Sequence, residues 1–86
     1  KMENNKKIGD IAEVLNQIIH DSSIPRNIRN STEEAKKTLM DEKEDLGMKV
    51  SSVQYLLDEI SNDRNLPMHA RTIIWNIASD LETIRF

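Results

Sequence analysis

Between Ile8 and Ile19 the apolar residues recur at intervals of three and four: Ile8, Ile11, Ala12, Leu15, Ile18 and Ile19, with Val14 widening the stripe. That spacing lines one face of a helix and predicts a first helix over about Lys6 to His20. Asp21-Ser22-Ser23 stops it, because these side chains compete for backbone hydrogen bonds. Pro25 opens the next helix, since its fixed φ suits a first turn and the N–H it lacks would be unpaired there anyway. Ile24, held out of the α region by that proline, is the expected cap residue.

The second helix, about Pro25 to Met40, has a thin stripe of Ile28, Thr32, Ala35 and Leu39 and is otherwise charged, so it is expected on the outside. Asp41 and Glu44 read as a capping box for a third helix, about Glu42 to Asn62, with Leu46, Val50, Val53, Leu57 and Ile60 inward. Pro67 opens a fourth helix, about Pro67 to Ile84, as Pro25 opened the second. Its broad apolar face of Ala70, Ile73, Ile74, Ile77, Ala78, Leu81 and Ile84 predicts the most buried helix of the four. Nothing alternates with period two, so no strand is predicted. The fold class is all-α, with four antiparallel helices as two helical hairpins in a single domain over residues 1–86.

The halves echo each other. An offset of 42 residues places Leu15 on Leu57, Ile18 on Ile60, Asp21 on Asp63, Pro25 on Pro67, Arg29 on Arg71 and Leu39 on Leu81. The repeat units are about 7–40 and 49–82. This length and the Asp-turn-Pro-Arg skeleton resemble HEAT repeats. The resemblance implies structural pairs of Asp21 with Arg29 and of Asp63 with Arg71, in a two-unit stack of hairpins. A closed four-helix bundle fits the same pattern. Taken whole, the chain is also similar to uncharacterised protein family 0147 of the UPF series, a small archaeal group of all-helical proteins. The resembling segments are I-P-R-N-I-R (Ile24 to Arg29), D-E-K-E-D-L (Asp41 to Leu46), L-D-E-I-S-N-D (Leu57 to Asp63) and L-P-M-H-A-R-T-I-I-W-N-I (Leu66 to Ile77). That resemblance implies a cytosolic helical protein of archaea, and it supplies no site residues.

Composition narrows the function classes. The 86 residues carry a net charge of −3, with 37% hydrophobic and 31% charged residues, which suits a small folded domain. The acidic balance opposes phosphate unless a local basic patch forms. With no cysteine, disulfides, thiolate zinc sites and thiol nucleophiles are excluded, and a reducing cytoplasm is the expected compartment. No apolar run reaches the roughly 18 residues of a membrane span, and the polar start K-M-E-N-N-K-K does not read as a signal peptide.

Candidate chemistry is thin. His20 and His69 lack a third imidazole or thiolate to hold zinc. The carboxylates Asp58, Glu59 and Asp63, and those from Asp41 to Asp45, are expected as caps and solvated faces, since general acid–base work needs a pocket that perturbs a pKa. No catalytic, metal or cofactor residue is assigned and no enzyme is expected. Arg26 and Arg64 fall at the two proline turns and are the candidate contacts for nucleic acid, with no interleaved aromatics to support them. Trp75 lies about 100° from Ile74 around the helix and about 160° from Ile77, with Met68, Arg71 and Ala78 on its side. Either the fourth helix packs on two sides there, or Arg71 stacks over the indole, or Met68, Arg71 and Trp75, with Phe86, form an exposed protein interface. The favoured reading is a non-enzymatic interaction module that self-associates as a dimer, covering the uncapped flank of a two-unit stack. An accessory nucleic-acid-binding protein is the alternative.

Overall fold

The structure, a computed structural model, describes residues 2–85. Four helices follow one another: α1 (Met2–Ile19), α2 (Arg26–Met40), α3 (Leu46–Ser61) and α4 (Met68–Leu81). Among the described residues there is no strand. The periodic stripes sit inward as their spacing requires. Leu15, Ile18, Ile28, Leu39, Val53, Leu57, Ile74, Ile77 and Leu81 are almost fully removed from water and belong to one continuous core.

The helices close into a ring. α1 packs on α2, α2 on α3, α3 on α4 and α4 back on α1, and neither diagonal pair makes a close backbone approach. A stack of hairpins would have set α1 on α3 and α2 on α4. The molecule measures 36 × 20 × 20 Å, and a square cross-section of that size is what two-by-two helices at spacings of about 10 Å produce. The architecture is therefore the closed bundle and not the HEAT-like stack.

Three connections make the ring, and all three are the same connection. Each begins at an aspartate: Asp21, Asp41 and Asp63. In each, the carboxylate accepts from the backbone N–H two residues on, that of Ser23, Lys43 or Asn65, at 2.8–2.9 Å. In each, the aspartate carbonyl accepts from the N–H three residues on, that of Ile24, Glu44 or Leu66. The fifth residue then starts the next helix in extended backbone: Pro25 (φ −55, ψ 145), Asp45 (φ −59, ψ 137) and Pro67 (φ −61, ψ 152). A fixed connection used three times turns the chain by the same step each time, and four antiparallel helices then meet end to start.

Several expectations change accordingly. Asp41 does not cap α3; it ends α2 and opens the loop, and Asp45 is the N-cap, its carboxylate accepting from the Met48 N–H at 3.2 Å. Pro25, not Ile24, is the cap of α2. Nor is α4 the most buried helix. α1 buries Ile8, Ile11, Ala12, Leu15 and Ile18 as well as Asn4, against Ala70, Ile74, Ile77 and Leu81 in α4 and Ile28, Thr32, Ala35 and Leu39 in α2. The Thr32 hydroxyl is satisfied by donating to the Ile28 carbonyl at 2.8 Å. Openings lie on both flanks of α4, and Ile73 and Ala78 at the edges of its stripe are only partly buried.

The ends of the chain complete the ring. Asn4 donates through Nδ2 to the Arg85 carbonyl at 2.6 Å and accepts from the Arg85 N–H through Oδ1. Lys7 Nζ donates to the Thr83 carbonyl at 2.9 Å. Ile84, one turn beyond α4, is buried and covers the core there.

Candidate functional site

Eight residues after each loop aspartate stands a cation: Arg29, Lys49 and Arg71. All three donate to backbone carbonyls of the preceding connection. Arg29 Nε reaches the Ile24 carbonyl at 2.9 Å, Lys49 Nζ the Asp41 carbonyl at 3.0 Å, and Arg71 the carbonyls of Ser61 and Asp63. The expected ion pairs of Arg29 with Asp21 and of Arg71 with Asp63 are thus absent among the described residues. The geometry explains why: each carboxylate is already turned back onto its own loop. Arg29 and Arg71 thus tie loop carbonyls to the helices that follow, and Lys49 is the third of the set.

The carboxylates use their remaining capacity across the molecule. His69 Nε2 lies 2.8 Å from Asp21, and the Asn27 amide donates to Asp63 at 3.4 Å. His69 and Asn27 stand at the same distance after their own loop aspartates, so the halves exchange contacts reciprocally, as objects related by a two-fold axis do. Hydrogen bonds from the Ser23 hydroxyl, then His69, then the Ser23 N–H push the Asp21 carboxyl down to about 2 from its ordinary 3.8. Arg26, the first residue of α2, and Arg64, next to Asp63 in the last connection, are exposed.

The Trp75 side of α4 is open. Trp75 is 59% exposed and Met68 73% exposed, which removes the reading of a helix packed on two sides. Arg71 is half-buried and turned to the loop carbonyls. Phe86 lies outside the described residues. Beside Trp75 runs a groove of about 340 Å³ between α3 and α4, walled by Leu57, Asp58, Ser61, Ile74, Ala78 and Glu82 among others. Neither Asp58 nor Glu82 has an ion-pair partner among the described residues.

The matching groove of the first hairpin, between α1 and α2, is bridged. Lys36, half-buried, donates from Nζ to Asn16 Oδ1 at 2.9 Å. Under the offset of 42 residues, Lys36 corresponds to Ala78, Asn16 to Asp58 and Glu33 to Trp75. The second hairpin has therefore lost the lysine, gained a carboxylate where the lysine's acceptor stood, and gained an indole at the rim. Among the described residues, no three His, Asp or Glu side chains come together as a metal-binding group, and no helix is long and apolar enough to cross a membrane.

Fold and groove together define a small closed four-helix protein whose α3–α4 groove is open and walled in part by carboxylates. The chain belongs to the uncharacterised protein family UPF0147, whose family model matches residues 1–84. The UPF0147 protein of Methanothermobacter thermautotrophicus is 47% identical over 81 residues, covering 94% of this chain and 79% of the relative. The crystal structure of a UPF0147 member from Thermoplasma acidophilum is similar at a TM-score of 0.90, with 29% identity over 99% of this chain and 100% of that one. A second crystal structure, of a protein of unknown function, is similar at a TM-score of 0.88, with 41% identity over 93% of this chain and 91% of that one.

Proposed function

We propose that this chain is a small, non-enzymatic protein-interaction module of the cytoplasm whose contact surface is the α3–α4 groove and its Trp75 rim. One observation carries the reading: the only tryptophan of the chain stands 59% exposed at the edge of the groove. Trp is costly to leave in water and is over-represented among residues that dominate binding energy. The self-associating form of this reading, a dimer, draws on the Met68–Trp75 patch alone, because a closed ring has no uncapped flank for a second copy to cover. The nucleic-acid alternative draws on exposed Arg26 and Arg64 only, in a chain of net charge −3.

The reading is tested by affinity purification from the native host with nuclease present, comparing the parent chain with Trp75→Ala. Protein partners retained by the parent and lost by the variant support it; identical partner sets overturn it. Light scattering at tens of micromolar, read together with the emission of Trp75, tests the dimer. A mass of two chains with blue-shifted emission is the expected dimer signature. A mass of one chain with the emission of an exposed indole removes self-association.

A further inference from the structure

The first hairpin shows what a filled groove looks like. Its Lys36, half-buried on α2, reaches across to α1 and places its ammonium on a side-chain oxygen; long basic side chains can bury their stems while keeping the charged head solvated or paired. The second hairpin offers the same cleft without the lysine. Ala78 leaves the space open, Asp58 presents a charged acceptor in place of Asn16, and Trp75 supplies an aromatic wall. Each change favours an incoming cation. A carboxylate binds ammonium more strongly than an amide oxygen does, and an indole attracts it further. Glu82 adds negative charge on the α4 wall. Arg71, in the first turn of α4, is held by the Ser61 and Asp63 carbonyls.

We propose that the α3–α4 groove receives a lysine side chain from a basic partner polypeptide, with its stem against Trp75 and its ammonium on Asp58, repeating between molecules the contact that Lys36 and Asn16 make within this one. The inference rests on the interaction-module reading and names the chemistry of the partner.

The probe is a synthetic decapeptide of alternating lysine and glycine with blocked ends, titrated into the full chain at low salt while Trp75 emission and the indole N–H resonance are followed. Saturable binding is expected, weakened about tenfold or more when every lysine is acetylated, and by a similar factor in Asp58→Asn and in Trp75→Ala. Glu34→Gln, on the far surface of α2, leaves binding unchanged. Ala78→Lys supplies the missing side chain from within: it folds, shields Trp75 in the absence of peptide, and abolishes binding. Absence of saturable binding overturns the inference. So does weakening by Glu34→Gln equal to that by Asp58→Asn, which is diffuse charge attraction. A dimer that covers Trp75 and excludes the peptide overturns it while leaving the interaction-module reading intact; loss of Trp75-dependent partners overturns both.

Discussion

At the scale of single residues, the three cations Arg29, Lys49 and Arg71 are the least expected structural feature. Each ties a loop carbonyl to the helix that follows. Lys49 is buried while doing so, so its removal takes the shorter of two hydrogen bonds from the Asp41 carbonyl and leaves a gap where the stem lay. Lys49→Ala is expected to cost about 1–3 kcal/mol, and Lys49→Arg less than about 0.5 kcal/mol; urea unfolding of the two variants checks this. Asp21 gives a prediction in pH. Its folded carboxyl sits at about 2 against an ordinary 3.8, so the unfolded chain binds more protons between those values. Stability from this group is complete above about pH 4 and is lost as pH falls toward 2. Ser23→Ala removes the largest cause of the shift and should make unfolding free energy fall less steeply over that window. The sequence carried the signal for the cations as a constant spacing of eight after each loop aspartate. It was obscured because Arg29 and Arg71 match while the middle member is a lysine, and because an Asp–Arg pairing offered a ready explanation for the two that match.

At the scale of elements, the stripes of three-and-four spacing located all four helices, and the two proline turns announced their own likeness. The middle connection was misread. Glu44 and Asp45 stand where the other loops have Ile24-Pro25 and Leu66-Pro67, and a D-x-x-E string invites a capping box. Backbone geometry unites what composition separated, since Asp45 has the φ of its proline counterparts. Asp45→Pro therefore fits without strain. It loses a cap worth about 0.5–2 kcal/mol and reduces the freedom of the unfolded chain by about 0.4–1 kcal/mol. Asp45→Pro should exceed Asp45→Ala in stability by that last amount, measured by thermal or urea unfolding. The breadth of the α4 stripe overstates its burial, because Ile73 and Ala78 at its edges face the openings on either flank and are only partly covered.

At the scale of the whole molecule, the echo of one half in the other was legible, and its symmetry was not. Periodicity along a chain is the same whether copies are stacked or face one another; the order in which the helices touch and the reciprocal contacts of Asp21 with His69 and of Asp63 with Asn27 distinguish them. The open groove was out of reach for the same reason, since it is visible only when Lys36 and Ala78 are seen as counterparts. Closure depends on the last turn as much as on the loops. Ile84 is buried beside the Asn4–Arg85 clasp, and Ile84→Ala should cost about 2–4 kcal/mol, read from the denaturant midpoint.

Because Asn4 and Arg85 hold each other at hydrogen-bonding distance, the order in which the chain visits the ring is close to arbitrary. Joining the old ends with a few glycines and cutting between Asp41 and Asp45 would yield a rearranged gene product that begins at α3 and finishes at α2. Such a permuted chain should melt cooperatively and keep the emission of Trp75; a non-cooperative melt would show that the original order of synthesis matters.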